Sequence, residues 1–395
     1  MPMTIENRRP KRIVRILNRF NVGGPIWNVA YLTKYLPATY ETLLVGGKAT
    51  DTEADAQEIL NLLNIEFQLI PSMSREINVF HDLRSLYKLW KMMRKFKPDL
   101  VHTHASKAGL LGRIAAIIAG VPVIVHTYHG HVFEGYFNHT KSSLIQQIER
   151  FLAKRTAAIV AISEIQKIAL TEKFKICTPD KAHIIPLGFD LRPFYPNHDK
   201  RQQARKKYKL ESGTIAVGIV GRLTTIKNHG LFLRAASLLG KKTPNKYVFF
   251  VVGDGDKKEE LVNITRELEI SESVHFTSWI YAMETFYPAM DLICLTSFNE
   301  GTPVSLIEAQ AAGIPVISTQ VGGVENTLVS GSTGLLLSSF DPAELAEKIE
   351  HLAEDEPYRM QMSKNAHTFA VERFSYQRLV AATEQLYERL LKNAL

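Results

Sequence analysis

Short apolar runs rich in β-branched residues, separated by stretches of helical period, restrict the fold of this chain more than any other feature. In the first half the runs are RIVRIL (12–17), ETLLV (41–45), EFQLI (66–70), DLVHT (99–103), VPVIVHT (121–127), AAIVAI (157–162) and HIIPL (183–187). Amphipathic stretches such as 80–96 and 140–155 lie between them. A strand that is apolar throughout is buried on both faces, and parallel strands need crossover helices. The alternation therefore predicts an α/β fold with a parallel sheet covered on both sides. It stops over residues 191–213, which are polar, proline-bearing and charged, and read as a linker. It resumes with TIAVGIV (214–220), KYVFFVV (246–252), SVHF (273–276), DLICLT (291–296), IPVIS (314–318) and TGLLL (333–337). Beyond that only helical period is left. The expected organisation is a domain over 1–190, a linker over 191–213, a second domain over 214–374, and a terminal helix over 375–395.

A chain of 395 residues suits two such domains. Two cysteines, Cys177 and Cys294, cannot build a disulfide framework or a thiolate cage, which fits a reducing compartment. The N-terminal segment has no long apolar core, and the most apolar stretch, 109–125, is broken by Arg113 and Pro122. The expectation is a cytoplasmic protein, either soluble or peripheral on the inner face of the membrane. Residues 1–190 carry 25 Lys+Arg against 16 Asp+Glu, while the remainder carry 23 against 24. The whole net charge of +8 thus sits in the first half, which suits an anionic surface or a phosphorylated substrate.

Three segments of the second half carry chemistry. In DLICLTSFNEGTPVSLIEAQAAGIPVIS (291–318), a strand runs into a loop holding Glu300 and Gly301, then into a helix. Thr302 reads as its N-cap and Pro303 as its first residue, with the N–H groups of Val304, Ser305 and Leu306 left unpaired to meet a phosphate. Glu308 lies in the second turn. In VGIVGRLTTIKNHG (217–230), Gly221, Arg222 and Lys227 follow a strand, with Asn228 as a cap. Glycine permits close approach of a ligand, and two cations can clamp a diphosphate. In VGDGD (252–256), Gly253 reads as part of a glycine-rich turn on the nucleotide side; the alternative is a metal-holding pair, Asp254 and Asp256. Each segment also has a bland reading as ordinary turn or cap chemistry.

In this order and spacing, the segments resemble the retaining family-four glycosyltransferases of the GT-B fold, in which two Rossmann-like parallel-sheet domains face a central cleft. The family's E-x7-E element matches Glu300 to Glu308, and its E-A-x-A-x-G-x-P-V element matches Glu308, Ala309, Ala311, Gly313, Pro315 and Val316. The resemblance implies that Arg222 and Lys227 bind the donor diphosphate, Glu308 the ribose and Glu300 the donor hexose. Backbone over Thr302–Leu306 would approach the sugar and phosphates, and backbone near Trp279 and Ile280 the base. It also implies that the last helix crosses back onto the N-terminal domain.

In the first half, Gly23 and Gly24 lie between the first strand and a helix beginning near Pro25. There is no GxGxxG, so a dinucleotide fingerprint is missing. By resemblance this glycine pair borders the donor phosphates and the acceptor. His102, His104, His126, His129 and His131 cluster at strand ends without partners at metal-ligand spacing, so no metal is expected. The resemblance instead assigns His129, with His131 as runner-up, to the donor sugar. HTHASKAGLLGR (102–113) is similar to bacterial enzymes that build cell-surface polysaccharides, which implies a loop of Ser106, Lys107 and Gly109 at the cleft, with His104, Ser106, Lys107 and His131 on the acceptor side. In FHDLRSLYKLWKMMRKF (80–96), Arg84, Lys88, Lys91 and Lys95 form a basic stripe beside Leu86, Tyr87, Trp90 and Met93. This suits either an ordinary sheet-covering helix or an anionic membrane surface.

The expected reaction is transfer of a hexosyl or N-acetylhexosaminyl unit from a nucleotide-diphosphate sugar, with uridine the preferred base. The acceptor would be the hydroxyl of a lipid-linked or other glycan, the anomeric configuration retained and no cofactor used. Four competing readings are a non-catalytic sugar-nucleotide-binding protein, a nicotinamide-dependent oxidoreductase, a GT-B epimerase and a nucleic-acid-binding protein. The last lacks any recognised module, and no nucleic-acid partner is expected.

Overall fold

The computed structural model describes residues 9–50, 55–74, 78–130, 139–243 and 246–394, with the side chains of 139–141 left out. The chain divides into two compact units, one of residues 1–189 with 376–395, the other of residues 190–375.

All thirteen runs read from the sequence form strands. In the first unit these are β1 (Lys11–Phe20), β2 (Tyr40–Lys48), β3 (Phe67–Leu69), β4 (Leu100–His104), β5 (Val123–Tyr128), β6 (Ala158–Ala161) and β7 (Ala182–Ile184). They form one parallel sheet in the order β3-β2-β1-β4-β5-β6-β7. β4 and β5 are buried along their whole length, as covered parallel strands must be. The helix Val79–Phe96 is capped by Asn78, whose Oδ1 accepts the His81 N–H at 3.1 Å. Beneath the sheet, Arg113 and Glu149 form a fully buried ion pair at 2.6 Å, and Tyr128 donates its hydroxyl to the same carboxylate oxygen at 2.5 Å.

The terminal helix Tyr376–Ala394 belongs to this unit. Tyr376 stacks on Tyr31 and Tyr35 and donates its N–H to the Phe189 carbonyl. A side chain at Gly188 would strike Leu379 Cβ at 2.6 Å, so glycine lets this helix seat closely.

In the second unit, β8 (Ile215–Val220), β9 (Tyr247–Val252), β10 (Val274–Ser278), β11 (Leu292–Leu295), β12 (Val316–Thr319) and β13 (Gly334–Leu337) make a parallel sheet ordered β10-β9-β8-β11-β12-β13. The stretch 191–213, expected to be a linker, is instead tied to this unit. Its helix His198–Lys207 sends Arg201 and Arg205 to the two oxygens of Asp291, at 2.6 and 3.1 Å. The same Asp291 accepts the Ala216 N–H, which fixes the helix at the start of β8 and β11. Its charge density masked this anchoring in the sequence.

Candidate active site

In both sheets the strand order reverses direction once, between β1 and β4 and between β8 and β11. At such a switch point the loops diverge and leave a crevice at the carboxyl ends of the strands. In the second unit, the β8 loop carries Arg222 and Lys227, and the β11 loop carries Glu300. Lys227 Nζ lies 2.5 Å from Glu300 Oε1, with the two side chains 22% and 10% exposed. The same oxygen accepts the Ser297 hydroxyl at 2.6 Å. Backbone and side-chain bonds hold the two loops together: Phe298 N–H to Ile226 O, and the Thr296 hydroxyl to the carbonyls of Lys227 and Asn228. An ammonium and a carboxylate, each with unused bonding capacity, thus stand side by side at the crevice.

Glycines allow this packing. Gly253 has φ +137°, and a Cβ there would lie 2.0 Å from the Gly221 carbonyl oxygen. The VGDGD turn therefore supports the Gly221–Arg222 loop from behind through direct backbone contact. Asp254 is occupied by Lys258 at 3.0 Å and by the Gly255 N–H. Among the described residues no group of three or more His, Cys, Asp or Glu side chains could hold a metal. Gly322 and Gly323 crowd the carbonyls of Glu300 and Gly301 in the same way. Trp279 follows Ser278, a non-glycine residue at φ +55°, and is 48% exposed, whereas Ile280 packs on the core.

The helix after Glu300 spans Val304–Ala311, with Pro303 as its N-cap and no side-chain cap. This corrects the expected start: Thr302 is not the cap and Pro303 is not the first helical residue. Leu306 N–H is also not free, since it reaches the Pro303 carbonyl at 3.2 Å. The N–H groups of Val304 and Ser305 have no acceptor among the described residues, so the anion-binding end of the helix narrows to these two. Asn228 precedes its helix at φ 48° but makes no side-chain cap bond. Glu308 lies inside the helix, its Oε2 3.2 Å from the Tyr287 hydroxyl. Burial pushes its carboxyl up to about 7.

In the first unit, His104 Nδ1 and His129 Nε2 meet at 3.0 Å at the ends of β4 and β5. Burial lowers the pKa of both, His129 to about 4, so both rings are neutral at pH 7. Below them, Arg15 donates to the Tyr387 hydroxyl, which bonds His102 Nδ1, and His102 Nε2 bonds Thr127. Ser106 and Lys107 are not in a loop, as expected, but open the helix Ser106–Ala119. Lys107 is taken up by Asp82 at 2.6 Å. Gly109 is required there, because a Cβ would meet the His126 ring at 2.4 Å. Gly23 and Gly24 begin the helix Gly24–Tyr35, and packing demands neither glycine. His131 lies outside the described residues.

Sequence reasoning missed Ser297, Tyr287 and His229. Tyr287 is fully buried, and His229 is 2% exposed with neither ring nitrogen paired among the described residues. Burial, then the neighbouring Lys227, lowers the His229 pKa to about 4. The only signal was proximity to the singled-out residues, because a serine or tyrosine in a strand-and-loop segment has no distinguishing spacing.

The geometry agrees with what the chain is similar to. Residues 22–192 match the model of Glycosyltransferase Family 4, and residues 200–369 that of Glycosyl transferases group 1. The chain is 32% identical over 329 residues to the UDP-Gal:alpha-D-GlcNAc-diphosphoundecaprenol alpha-1,3-galactosyltransferase of Escherichia coli, covering 82% of this chain and 84% of that one. It is 30% identical over 357 residues to the capsular polysaccharide biosynthesis glycosyltransferase CapM of Staphylococcus aureus, covering 86% and 90%. The crystal structure of HepE from Anabaena in complex with UDP superposes with a TM-score of 0.81 at 20% identity, over 96% of this chain and all of that one. The chain belongs to the family 4 glycosyltransferases, and its two units have the GT-B fold.

Proposed function

We propose that this glycosyltransferase moves a hexosyl or N-acetylhexosaminyl unit from a UDP-sugar to a hydroxyl of a lipid-linked glycan, with retention at the anomeric carbon. The observation that carries this reading is the pairing of Lys227 with Glu300 beside the open N–H groups of Val304 and Ser305. Lys227, Arg222 and that helix end suit the donor diphosphate, Glu308 the ribose, and Glu300 a hexose hydroxyl. Within the first unit, His129 is a neutral ring whose chemistry suits a sugar hydroxyl. Neither carboxylate assigned to the donor site is a strong nucleophile: Lys227 and the Ser297 hydroxyl converge on one oxygen of Glu300 and offset its charge, and Glu308, assigned to the ribose, accepts from Tyr287. This favours a front-face route in which the departing diphosphate helps deprotonate the acceptor, while Arg222 and Lys227 stabilise the leaving charge. We propose that no metal takes part, since these two cations supply the charge and Asp254 is committed to Lys258. The relatives named above act on a UDP-sugar with a diphosphoundecaprenol-linked acceptor and in capsule synthesis, which supports the same classes here.

The test is turnover of UDP-galactose, UDP-glucose and UDP-N-acetylglucosamine with a GlcNAc-diphosphate-lipid acceptor, without added metal. Acceptor-dependent release of UDP supports the reading. Binding without turnover on any acceptor would favour a sugar-nucleotide-binding protein.

An anionic membrane surface is the proposed setting. Among the described residues no helix is long and apolar enough to cross a membrane. The helix Val79–Phe96, however, exposes Phe80, Leu83 and Tyr87 in line with Arg84, Lys91 and Lys95. Met93 is buried, and Leu86 and Trp90 are half-buried, so of the four expected apolar residues Tyr87 alone is fully outward. Co-sedimentation with phosphatidylglycerol vesicles, lost in Phe80→Ser/Leu83→Ser/Tyr87→Ser, would support this setting. Equal sedimentation of both proteins would remove it.

A further inference from the structure

Both bonds that Glu300 makes to protein side chains fall on one oxygen. Lys227 Nζ and the Ser297 hydroxyl converge on Oε1, at 2.5 and 2.6 Å, and Oε2 has no partner among the described residues. Ser297 is fully buried, and its carbonyl accepts the Thr319 hydroxyl at 2.7 Å, so the clamp itself is fixed. The carboxylate therefore has one oxygen anchored beside the ammonium and one free to accept a hydroxyl. Its negative charge stays next to the cation that would meet the diphosphate.

We propose that Ser297 is a positioning residue that clamps Glu300 beside Lys227, making this pair a selector of the sugar-loaded nucleotide over the spent diphosphate. The inference rests on the donor-site reading above. Before transfer the β-phosphate is esterified by the sugar, and a UDP-sugar carries two negative charges. In transfer the bond from the anomeric carbon to the β-phosphate oxygen breaks, and its electron pair stays on that oxygen. The acceptor oxygen forms the new bond to that carbon, and its proton passes to the departing phosphate oxygen and from there to solvent. The product's terminal phosphate, with a second pKa near 6, then carries an extra charge at neutral pH. That charge arises on the side where the sugar was, which is the side of Glu300. A loaded donor offers Oε2 a hydroxyl and gains a hydrogen bond. Spent UDP offers no hydroxyl there, brings an additional anion, and competes with Glu300 for Lys227. The clamp thus favours donor entry and product departure together.

The experiment measures dissociation constants of UDP and of UDP-galactose by titration calorimetry at pH 8, for the unaltered protein, Glu300→Gln and Ser297→Ala. Removing a like charge a few ångströms from the terminal phosphate should tighten UDP about tenfold in Glu300→Gln. UDP-galactose, losing a charge-assisted bond, should bind no tighter. Ser297→Ala should move the ratio of the two constants in the same direction by about threefold, with the melting temperature of the ligand-free protein recording any general loss of packing. A ratio within twofold of the unaltered protein in both variants, or weaker UDP binding in Glu300→Gln, overturns the selector alone. Failure of the unaltered protein to bind either ligand overturns the donor-site reading and the selector with it.

Discussion

Replacing Glu308 by glutamine should stabilise the free protein at alkaline pH and weaken donor binding. Its carboxyl titrates at about 7 in the folded chain instead of the usual 4.5, because burial disfavours the charged form. For an acid raised in this way, folding is most favourable below 4.5, and stability falls as pH rises, with the full cost reached above about 7. The difference between the two values corresponds to about 3 kcal/mol at ~1.4 kcal/mol per pH unit. The side chain is only half-buried by surface area, so solvent screening reduces the usable figure to about 1–2 kcal/mol. Glutamine keeps an acceptor for the Tyr287 hydroxyl and removes the charge. Glu308→Gln should therefore melt roughly 2–6 °C higher at pH 8 and gain much less at pH 5. The proposed ribose contact uses the ionised carboxylate, so affinity for UDP-galactose should rise between pH 6 and 8. The esterified diphosphate of that ligand does not titrate in this range. The variant should bind about tenfold more weakly at pH 8 and show a flat pH profile. Scanning calorimetry and titration calorimetry across pH 5–8.5 read both effects. A lower melting temperature for the variant at pH 8, or a flat profile for the unaltered protein, would refute the reasoning.

Arg222→Ala and Lys227→Ala should each lower kcat by roughly 10²-fold, more than they weaken donor binding; losses below about threefold in both would sink the leaving-group assignment. Gly253→Ala places a Cβ 2.0 Å from the Gly221 carbonyl at φ +137°. It should cost upwards of about 3 kcal/mol and abolish UDP binding, and a normal melt by circular dichroism would contradict this. Arg113→Met leaves Glu149 as an unpaired buried charge and should cost about 3–5 kcal/mol in chemical denaturation. Arg113→Met/Glu149→Leu should recover more than half of that loss, and no recovery would mean that packing rather than charge dominates.

Much of the fold is written in local pattern. Thirteen apolar runs became thirteen strands because a strand buried on both faces must be apolar throughout, a property that survives without knowledge of its neighbours. Loop chemistry was legible where one residue type is demanded by geometry, as at Gly253. The spacing from Glu300 to Glu308 was legible because the second lies at a set distance along one helix.

What the sequence could not reveal depends on partners distant in the chain. Thr302 and Pro303 fit a cap by local preference, yet the helix starts at Val304, because the loop's Glu300 and Gly301 carbonyls are packed against Gly322 and Gly323. Charged residues in 191–213 looked solvated until Asp291, far along the chain, took up Arg201 and Arg205. Lys107 read as an acceptor-side cation, but tertiary packing gives it Asp82. Ser297 and Tyr287 have no pattern of their own; each matters because the fold brings one hydroxyl to one carboxylate. Periodicity records which face of an element is dry, so the sequence by itself determined the strands, their burial and the family. Hydrogen-bond and charge partners are set only when strand order places separate loops together, and at the β8–β11 switch point tertiary structure alone decided what Lys227 and Glu300 touch.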